Sequence, residues 1–254
     1  CMNAEHAFFQ SRQESLSRHQ GLERIQSRLG LSSYPDRIEC IDISLFQGGE
    51  PVGSLVSFKG GMPDRKQYRH YKIKHVIGTD DFAMMREVVG RRLRRGIEDG
   101  ELPDLLVVDG GKGQLNVATS VAQDLGVDSL QIIGLAKARV KNTADSLATT
   151  SERVFLTHVK NPIVLQSHTD EYRLLTQLRD EAHRFAITFH RKLRRDKSLK
   201  GTLADLPGVG AEKQRRLLQH FGGRQALEKA SVDALMEVDG VGPKLAEKIH
   251  RFFR

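Results

Sequence analysis

The sequence contains no tryptophan, only two cysteines in 254 residues, and no long apolar run. Cys1 and Cys40 are too few for a disulfide scaffold or a cysteine-based zinc site, which excludes the small disulfide-rich secreted class. A membrane span needs about 20 consecutive apolar residues, and no such segment or signal-peptide pattern is found. We therefore expect a cytoplasmic protein with no membrane partner.

The charge balance favours a polyanionic partner. Lys and Arg number 40 against 32 Asp and Glu, which gives a net charge of +8 and a pI near 9.6. A basic surface binds phosphates with an affinity that weakens as salt is added. With 39% hydrophobic residues, the chain has material for one full domain and a small one. A helical pattern begins directly after Cys1, so we expect a fragment of a longer protein, and nothing demands more than a monomer.

Residues 203–254 contain one unit twice, at a fixed offset of 32 residues. LADLPGVGAEKQRRLLQHF is followed by LMEVDGVGPKLAEKIHRFF, and each copy is predicted to form a short helix, a Gly-Val-Gly turn and a second helix. The matching positions are Leu203 and Leu235, Leu206 and Val238, Gly208 and Gly240, Gly210 and Gly242, Leu217 and Ile249, Phe221 and Phe253. The unit resembles the tandem helix-hairpin-helix domain of DNA repair proteins.

Each Gly-Val-Gly turn is predicted to hold a DNA phosphate. Glycines allow close backbone approach and positive φ, and both turns precede a helix N-terminus, which attracts anions. The predicted DNA-binding residues of the unit are Gly208, Gly210, Lys213, Gly240, Gly242 and Lys244. Such contacts position a protein on DNA without reading its bases. In the alternative interpretation, two αα-hairpins merely pack on each other and the glycines only serve the turns.

Upstream of this unit, the pattern predicts an α/β domain. RIECIDIS, VGSLVSF and QYRHYKI form three strands joined by Gly/Pro turns, which indicates an antiparallel meander. PDLLVVDGG and SLQIIGLA are apolar runs typical of strands buried on both faces, with helices over DDFAMMREVVGRRLRR and GQLNVATSVAQDLG. We therefore predict a mixed sheet with flanking helices, followed by a small all-α domain.

Two carboxylates are expected to meet at one edge of this sheet. Asp42 lies within the first strand, and Asp109 closes a later, central strand. If these strands are adjacent, the pair forms an oxygen-rich site for Mg2+ or Mn2+, which bind phosphate oxygens and activate water. A single Asp at a strand end is more often only solvated, so the prediction depends on the pair.

The glycine-rich DGGKGQ does not fit a nucleotide-binding P-loop, because Lys112 is followed by Gly113 instead of Ser or Thr. Lys112 is instead predicted to offer a cation to a phosphate. A long helix over TDEYRLLTQLRDEAHRFAITFHRKLRR places His183 roughly 100° from the centre of its apolar stripe. At that border the imidazole can face the sheet edge and exchange protons, or can be purely structural. His190 has the same geometry.

IECIDIS, DDFAMMREV, PDLLVVDGGKGQL, IIGLAK, NPIVL and RDEAHRFAITFHRKLR occur in that order before the doubled hairpin. Together they resemble the C-terminal half of the UvrC family, the incising subunit of bacterial nucleotide excision repair. The resemblance covers Arg37–Arg254, and the residues before it resemble the segment that follows the family's UvrB-binding region.

The resemblance implies a ribonuclease-H-like endonuclease domain that makes the 5′ incision beside a DNA lesion. The family's catalytic Asp-Asp-His set maps onto Asp42, Asp109 and His183, which are also the implied ligands of Mg2+ or Mn2+. A further family acid maps onto Asp81, although Asp80 or Asp81 could simply favour a helix N-terminus.

The implied organisation is a helical lead-in over residues 1–36, an endonuclease domain over 37–195, a linker over 196–202 and a DNA-binding domain over 203–254. The family commonly has a His directly after Asp-Ile-Ser, where this chain has Leu45. The implied partners are double-stranded DNA with a lesion or junction, a UvrB–DNA complex whose direct binding region is expected to be absent here, and UvrA indirectly. Two alternatives stay open: a DNA-binding fragment with an inactive or autoinhibited nuclease fold, and another ribonuclease-H-like structure-specific nuclease.

Overall fold

The structure is a computed structural model that describes residues 2–44, 51–76, 78–137, 151–199 and 206–253. Leu45 and the first helix expected in the doubled unit, which begins at Leu203, lie outside these ranges. The chain divides into two compact units, Cys1–His190 and Arg191–Arg254. Within the described ranges, no helix is both long and apolar enough to span a membrane.

The first unit is built on an eight-stranded mixed sheet. Its strands are β1 (Arg37–Ser44), β2 (Val52–Lys59), β3 (Met62–Pro63), β4 (Arg69–Lys72), β5 (Leu105–Asp109), β6 (Gln131–Lys137), β7 (Glu152–Phe155) and β8 (Ile163–Leu165). The strand order is β3-β2-β1-β5-β6-β7-β8, and β4 pairs with β2. Strands β1, β5 and β6 are parallel, whereas β1–β2, β2–β4, β6–β7 and β7–β8 are antiparallel. The predicted meander and the predicted mixture of pairings are confirmed.

Helices cover both faces of the sheet. They are α1 (Met2–Leu29), α2 (Asp81–Asp99), α3 (Lys112–Asp124) and α4 (Asp170–Leu199). One apolar core joins α1 and α4 to the sheet, through residues such as Leu22, Cys40 and Leu178. A second core lies on the other face and joins α2 and α3 through residues such as Val89 and Leu115. This three-layer arrangement is the predicted α/β fold class.

The helix bounds differ from the sequence pattern mainly at the C-terminal ends. Helix α2 runs to Asp99 and ends at Gly100, whose φ of 67° suits glycine. Helix α4 runs to Leu199, so residues 196–199 of the predicted linker are helical. The polar segment before β1 forms one continuous helix, α1. The domain borders derived from the resemblance stay predictions.

The second unit is all-α, as predicted. Its helices are α5 (Ala211–His220), α6 (Arg224–Glu228), α7 (Val232–Met236) and α8 (Pro243–Phe252). Buried Leu217 and Ile249, which correspond across the repeat, share one small core with Val209 and Val241. The repeated apolar positions therefore build a single core from both copies of the unit.

A buried ion pair ties α2 to the sheet. Glu39 is fully buried on β1 and accepts hydrogen bonds from Arg92 Nε at 2.6 Å and Nη2 at 2.8 Å. Arg37 donates a third bond to the same carboxylate at 2.8 Å. The desolvation of two charges offsets much of their attraction, yet removing one partner leaves the other charge buried and unpaired.

We expect Glu39→Gln to lower the free energy of unfolding by about 3 kcal/mol, because the Arg92 guanidinium would lose its buried counterion. Urea denaturation measures this loss. The matched control is Glu101→Gln, whose carboxylate lies 3.9 Å from Arg37 and is 56% exposed. That change is expected to cost less than about 0.5 kcal/mol, and equal effects of the two substitutions would contradict the assignment.

Candidate active site

Asp42 and Asp109 lie side by side at the carboxyl edge of the central strands. Strands β1 and β5 are adjacent and parallel, and Ile41 pairs with Val108 one residue before the two acids. Neighbouring strands are about 4.8 Å apart, and side chains at equivalent positions point to the same face. The predicted meeting of the two carboxylates is therefore found, on the face covered by α4.

His183 approaches this pair from α4. Its Nδ1 lies 3.7 Å from Asp42 Oδ2, and its side chain is 62% exposed while the Asp42 side chain is 8% exposed. The residue before it, Ala182, is fully buried, so the imidazole stands at the border of the core as its helical position predicted. The side chain of His190 is not among those described.

Two negative groups in a partly buried site change the proton affinity of one of them. Burial, followed by the charge of Asp42, raises the pKa of Asp109 to about 6, and the charges of Arg179 and His183 act in the opposite direction. Burial and the same two carboxylates also raise the pKa of the Cys40 thiol. Shifts of this kind mark sites where negative charge is crowded and a cation is favoured.

The structure also brings in residues that sequence reasoning missed. Ser44 donates a hydrogen bond of 2.8 Å to Asp42 Oδ2. It lies two residues further along β1 and hence on the same face. On α4, Arg179 lies four residues before His183, is buried, and binds the buried Glu152 of β7. The strand and helix periods were the signals for Ser44 and Arg179, whereas Glu152 follows only from the tertiary fold.

Asp81 lies in the first turn of α2, and the neighbouring Asp80 is the residue that caps the helix. Asp80 Oδ1 accepts hydrogen bonds from the N–H groups of Phe82 and Ala83, each at 3.0 Å. Asp81 is exposed and, within the described part of the chain, forms no ion pair. The ring of Phe82 occupies the space beside Gly113, in the first turn of α3, which brings this end of α2 towards the Asp109 loop.

The loop after Asp109 turns sharply into α3. Gly110 has a φ of 149°, which L side chains rarely adopt, and a Cβ there would also meet the Gln114 side chain at 2.8 Å, so glycine is favoured. Gly111 is the N-cap of α3 without a side-chain acceptor for the first helical N–H groups. Lys112 is exposed at that N-terminus. A positive helix end and a cation therefore lie directly after the acidic pair.

The donor set at this edge suits a hard divalent cation, since it offers carboxylate oxygens and an imidazole nitrogen. Ser54 lies opposite Asp42 in the register, and its buried hydroxyl finds no hydrogen-bond partner within the described residues. In those same residues, no three His, Cys, Asp or Glu side chains are already arranged around one metal position. The candidate ligands at this edge are therefore the carboxylates of Asp42 and Asp109, with the imidazole of His183 nearby.

The raised pKa of Asp109 predicts how stability depends on pH. Between its unfolded pKa of 3.8 and its folded pKa of about 6, the folded chain binds more protons than the unfolded chain, so stability falls as pH rises through this window. Asp109→Asn removes the free-energy cost of keeping a charged carboxylate at this partly buried position. We expect the variant to be more stable than the parent by up to about 2–3 kcal/mol above pH 7, and the difference to vanish as the pH falls below the unfolded pKa of 3.8.

Chemical denaturation at several pH values measures this difference, with EDTA present to exclude metal binding. Asp128→Asn is the control, because Asp128 is exposed in a turn and its replacement should leave the curve unchanged. A difference between Asp109→Asn and the parent that does not vary with pH would show that the carboxylate is not electrostatically strained.

The two glycine turns of the second unit have the same backbone geometry. Gly208 and Gly240 have φ of 101° and 82°, and Val209 N–H and Val241 N–H each donate a 3.0 Å bond to the residue three positions earlier. Gly210 is the N-cap of α5 and Gly242 is the N-cap of α8, and neither offers a side-chain acceptor to the first helical N–H groups.

The lysines that follow the turns differ in position. Lys213 Nζ donates to Gly208 O at 3.3 Å, and its Cε would lie 3.4 Å from a Cβ placed on Gly240. This side chain therefore reaches both turns, which lie close together. Lys244 is exposed in the first turn of α8. Both lysines add positive charge beside free helix N-termini, a combination that suits an anion.

Comparisons with known proteins agree with this geometry. The family model described as "UvrC RNAse H endonuclease domain" matches residues 26–187. The family model "Helix-hairpin-helix motif" matches residues 204–254. The first contains Asp42, Asp109 and His183, and the second contains both glycine turns.

Curated relatives extend the similarity over nearly the whole chain. UvrABC system protein C of Anaeromyxobacter dehalogenans (strain 2CP-C) is 42% identical over 293 residues, which cover 99% of this chain and 41% of that protein. The protein of the same name from Geobacter metallireducens is 45% identical over 249 residues, covering 97% of this chain and 41% of that protein. The chain thus spans about two fifths of the length of these relatives.

Among solved structures, human endonuclease V matches with a TM-score of 0.38 and 14% identity, covering 75% of this chain and 99% of that chain. Endonuclease V of Ciona intestinalis in complex with an inosine-containing DNA matches with a TM-score of 0.38 and 11% identity, covering 62% of this chain and 87% of that chain. The predicted ribonuclease-H-like class of the first domain rests on the family model. Because that family model matches more than half of the chain, the chain belongs to the UvrC family.

Proposed function

We propose that this chain is the part of a cytoplasmic UvrC protein that makes the 5′ incision beside a lesion in nucleotide excision repair. The observation that carries the proposal is the meeting of Asp42, Asp109 and His183 at one sheet edge, within the matched nuclease domain. The proposed cofactor is Mg2+ or Mn2+. The proposed partners are a lesion-bearing duplex and a UvrB–DNA complex loaded by UvrA.

The carboxylates of Asp42 and Asp109 are the proposed ligands of the ion, with His183 as a third ligand or as a proton-transfer group. When bound, a divalent cation supplies charge stabilisation to a phosphate and lowers the pKa of water. Ser44 fixes one oxygen of Asp42 by its hydrogen bond and leaves the other to bind. His183 is exposed on the substrate side, where it can accept a proton from water or donate one to the leaving oxygen.

The surrounding residues are proposed to place and orient DNA. Lys112 and the free N–H groups at the start of α3 are positioned for the phosphate next to the reacting one. Arg179, anchored by Glu152, holds a positive charge beneath Asp109 and fixes the turn of α4 that carries His183. Asp81 is a proposed additional acid, because its exposed carboxylate lies near the Phe82–Gly113 contact at the same end of the domain.

The glycine turns are proposed to hold the DNA backbone. Their N–H groups and the Lys213 and Lys244 side chains provide donors and charge but no arrangement for reading bases. The second unit therefore supplies affinity without sequence preference, as repair of varied lesions requires.

The experiment that tests the proposal is incision of an end-labelled duplex that bears one lesion and is already nicked on its 3′ side. The duplex is incubated with UvrA, UvrB and this chain in Mg2+, Mn2+ or EDTA. We expect a cut 5′ to the lesion in either metal and none in EDTA. Cutting that persists in EDTA would overturn the metal dependence, and a cut elsewhere would overturn the assignment to the 5′ side.

Two alternatives give different results in the same assay. A DNA-binding fragment with an inactive nuclease fold would bind the duplex without cutting it under any of these conditions. Another ribonuclease-H-like nuclease would prefer a four-way junction or an RNA–DNA hybrid, so both are included as competing substrates.

A further inference from the structure

The edge strand β4 and the turn before it carry a concentrated positive charge. The β4 basic strip consists of Arg65, Lys66, Arg69, Lys72 and Lys74. All five are exposed, and no Asp or Glu occurs between Arg65 and Val76. Strand β4 pairs only with β2 in the described sheet, and Arg91 Nη1 donates to the carbonyl oxygen of Lys72 at 2.7 Å.

The strip leads towards the carboxylates. Strand β4 is antiparallel to β2 and thus runs in the same direction as β1. In the register, Lys72 is level with Val52 and Ser44, and His70 is level with Ser54 and Asp42. Two strand spacings separate β4 from β1, about 10 Å. By the two-residue period of the strand, Lys72 lies on the same face as His70 and Asp42, near the edge that holds Asp42, whereas Arg69 lies on the opposite face with Tyr71.

These cations form few of the electrostatic contacts of the fold; the charge of Arg65 acts on Glu181, whose pKa is lowered first by its hydrogen bonds with Arg184. Within the described residues, none of the five takes part in an ion pair. Arg69 donates to the carbonyl oxygens of Lys66 and Tyr68 at 2.7 and 2.8 Å, which leaves its charge uncompensated. At the C-terminal end of the strip, Glu87 of α2 is paired with Arg91 at 3.2 Å and accepts hydrogen bonds from the backbone N–H groups of Lys74 and His75. Glu87 thus fixes the end of the strip while the lysine side chains point outwards.

A purely structural explanation is available for part of this pattern, since lysines on an edge strand discourage pairing with other chains. One or two charges are enough for that purpose. Five cations without an acid raise the potential along the whole strand, at the cost of mutual repulsion. A polyanion that follows the strand would relieve that repulsion.

We propose that the β4 basic strip is a track for the DNA backbone, which holds the strand that flanks the scissile phosphate. This proposal rests on the proposed nuclease function and names a contact surface distinct from the glycine turns. Backbone rise is 3.4 Å per nucleotide, so the nearest contact lies about three nucleotides from the cut. The phosphates are bound as charges, without base readout.

The test is the salt dependence of DNA binding by the full chain, with EDTA present so that no strand is cut. The slope of log K against log[salt] loses about 0.9 for each phosphate contact removed. We expect Arg69→Gln/Lys72→Gln/Lys74→Gln to reduce the slope on a nicked duplex by about 2 to 3. Lys72→Gln/Lys74→Gln, which retains the hydrogen bonds of Arg69, is expected to reduce it by about 2.

The control is Arg12→Gln/Lys160→Gln, which removes two charges, as the double strip variant does, from exposed positions on other parts of the domain. It is expected to change the slope by less than about 0.5. If the salt dependence of DNA affinity has the same slope in the control and strip variants, at unchanged thermal stability, the strip only prevents β4 from pairing with other chains. The measurement does not depend on incision, so it can confirm or overturn the proposed DNA contact of the strip even if the chain does not cut DNA.

Discussion

Asp109→Asn is expected to reduce 5′ incision on the order of a thousandfold, equivalent to about 4 kcal/mol of transition-state stabilisation. The substitution keeps the size of the side chain and removes one of two adjacent carboxylate charges. Asp109 lies at the end of β5, beside Asp42, where burial and that neighbour already raise its pKa to about 6. A neutral amide at this position cannot supply the charge that a divalent cation requires.

Affinity for DNA in EDTA should change less than about twofold, because phosphate contacts arise from cations and N–H groups elsewhere. Electrophoretic or anisotropy binding and single-turnover incision on the same nicked duplex separate the two quantities. The control is Asp128→Asn, which should leave both unchanged. A variant that cuts at the parent rate would remove Asp109 from the site, whereas a parent that binds without cutting would favour the inactive-fold alternative.

Incision by an Asp81→Asn variant in the same assay tests whether Asp81 takes part in the reaction. Asp80, not Asp81, caps α2, so replacement of Asp81 should cost little stability. Loss of incision in this variant would therefore indicate a role in the chemistry, and full activity would limit Asp81 to the charge of the helix N-terminus.

The carboxylate edge was predictable because its signals are local and periodic. Asp42 lies within the first strand and Asp109 ends a strongly apolar one, and parallel strands present their carboxyl ends at the same edge. His183 follows from the 3.6-residue period of α4, since Ala182 and Leu178 fix which side of the helix is buried. Adjacency of β1 and β5 was only a condition of that prediction, and it is the structure that shows it.

Other parts of the site depend on contacts that no local pattern encodes. Glu152 of β7 and Arg179 of α4 meet through the sheet order, and they are 27 residues apart in the chain. The sequence predicted only an alternating strand at the β4 basic strip. The position of Lys72 at the level of Ser44 follows from the strand register, which the sequence does not show. Composition alone could not predict that residues 196–199 are helical, because a run of charges is typical both of linkers and of exposed helices.

Gly210→Ser/Gly242→Ser is expected to weaken DNA binding at least tenfold for each hairpin while the fold is retained. Gly210 and Gly242 have φ of −76° and −83°, values that any residue adopts, and a Cβ at either position meets no atom within 4 Å. Neither backbone strain nor packing explains glycine there. Serine is a better N-cap than glycine, so the helices should lose no stability.

What serine would obstruct is a ligand that approaches the N–H groups of α5 and α8. Each displaced phosphate contact is worth about 1.5 kcal/mol or more, which is about tenfold in affinity. Gly208→Val and Gly240→Val, at φ of 101° and 82°, should also weaken binding, but through distortion of the turns. Gly222→Asn is the control, because Gly222 lies outside both turns and Asn tolerates its φ of 68°. Unchanged affinity in the double serine variant, measured by anisotropy at fixed salt, would leave the turns a purely structural role, since the free helix N-termini would then bind no phosphate.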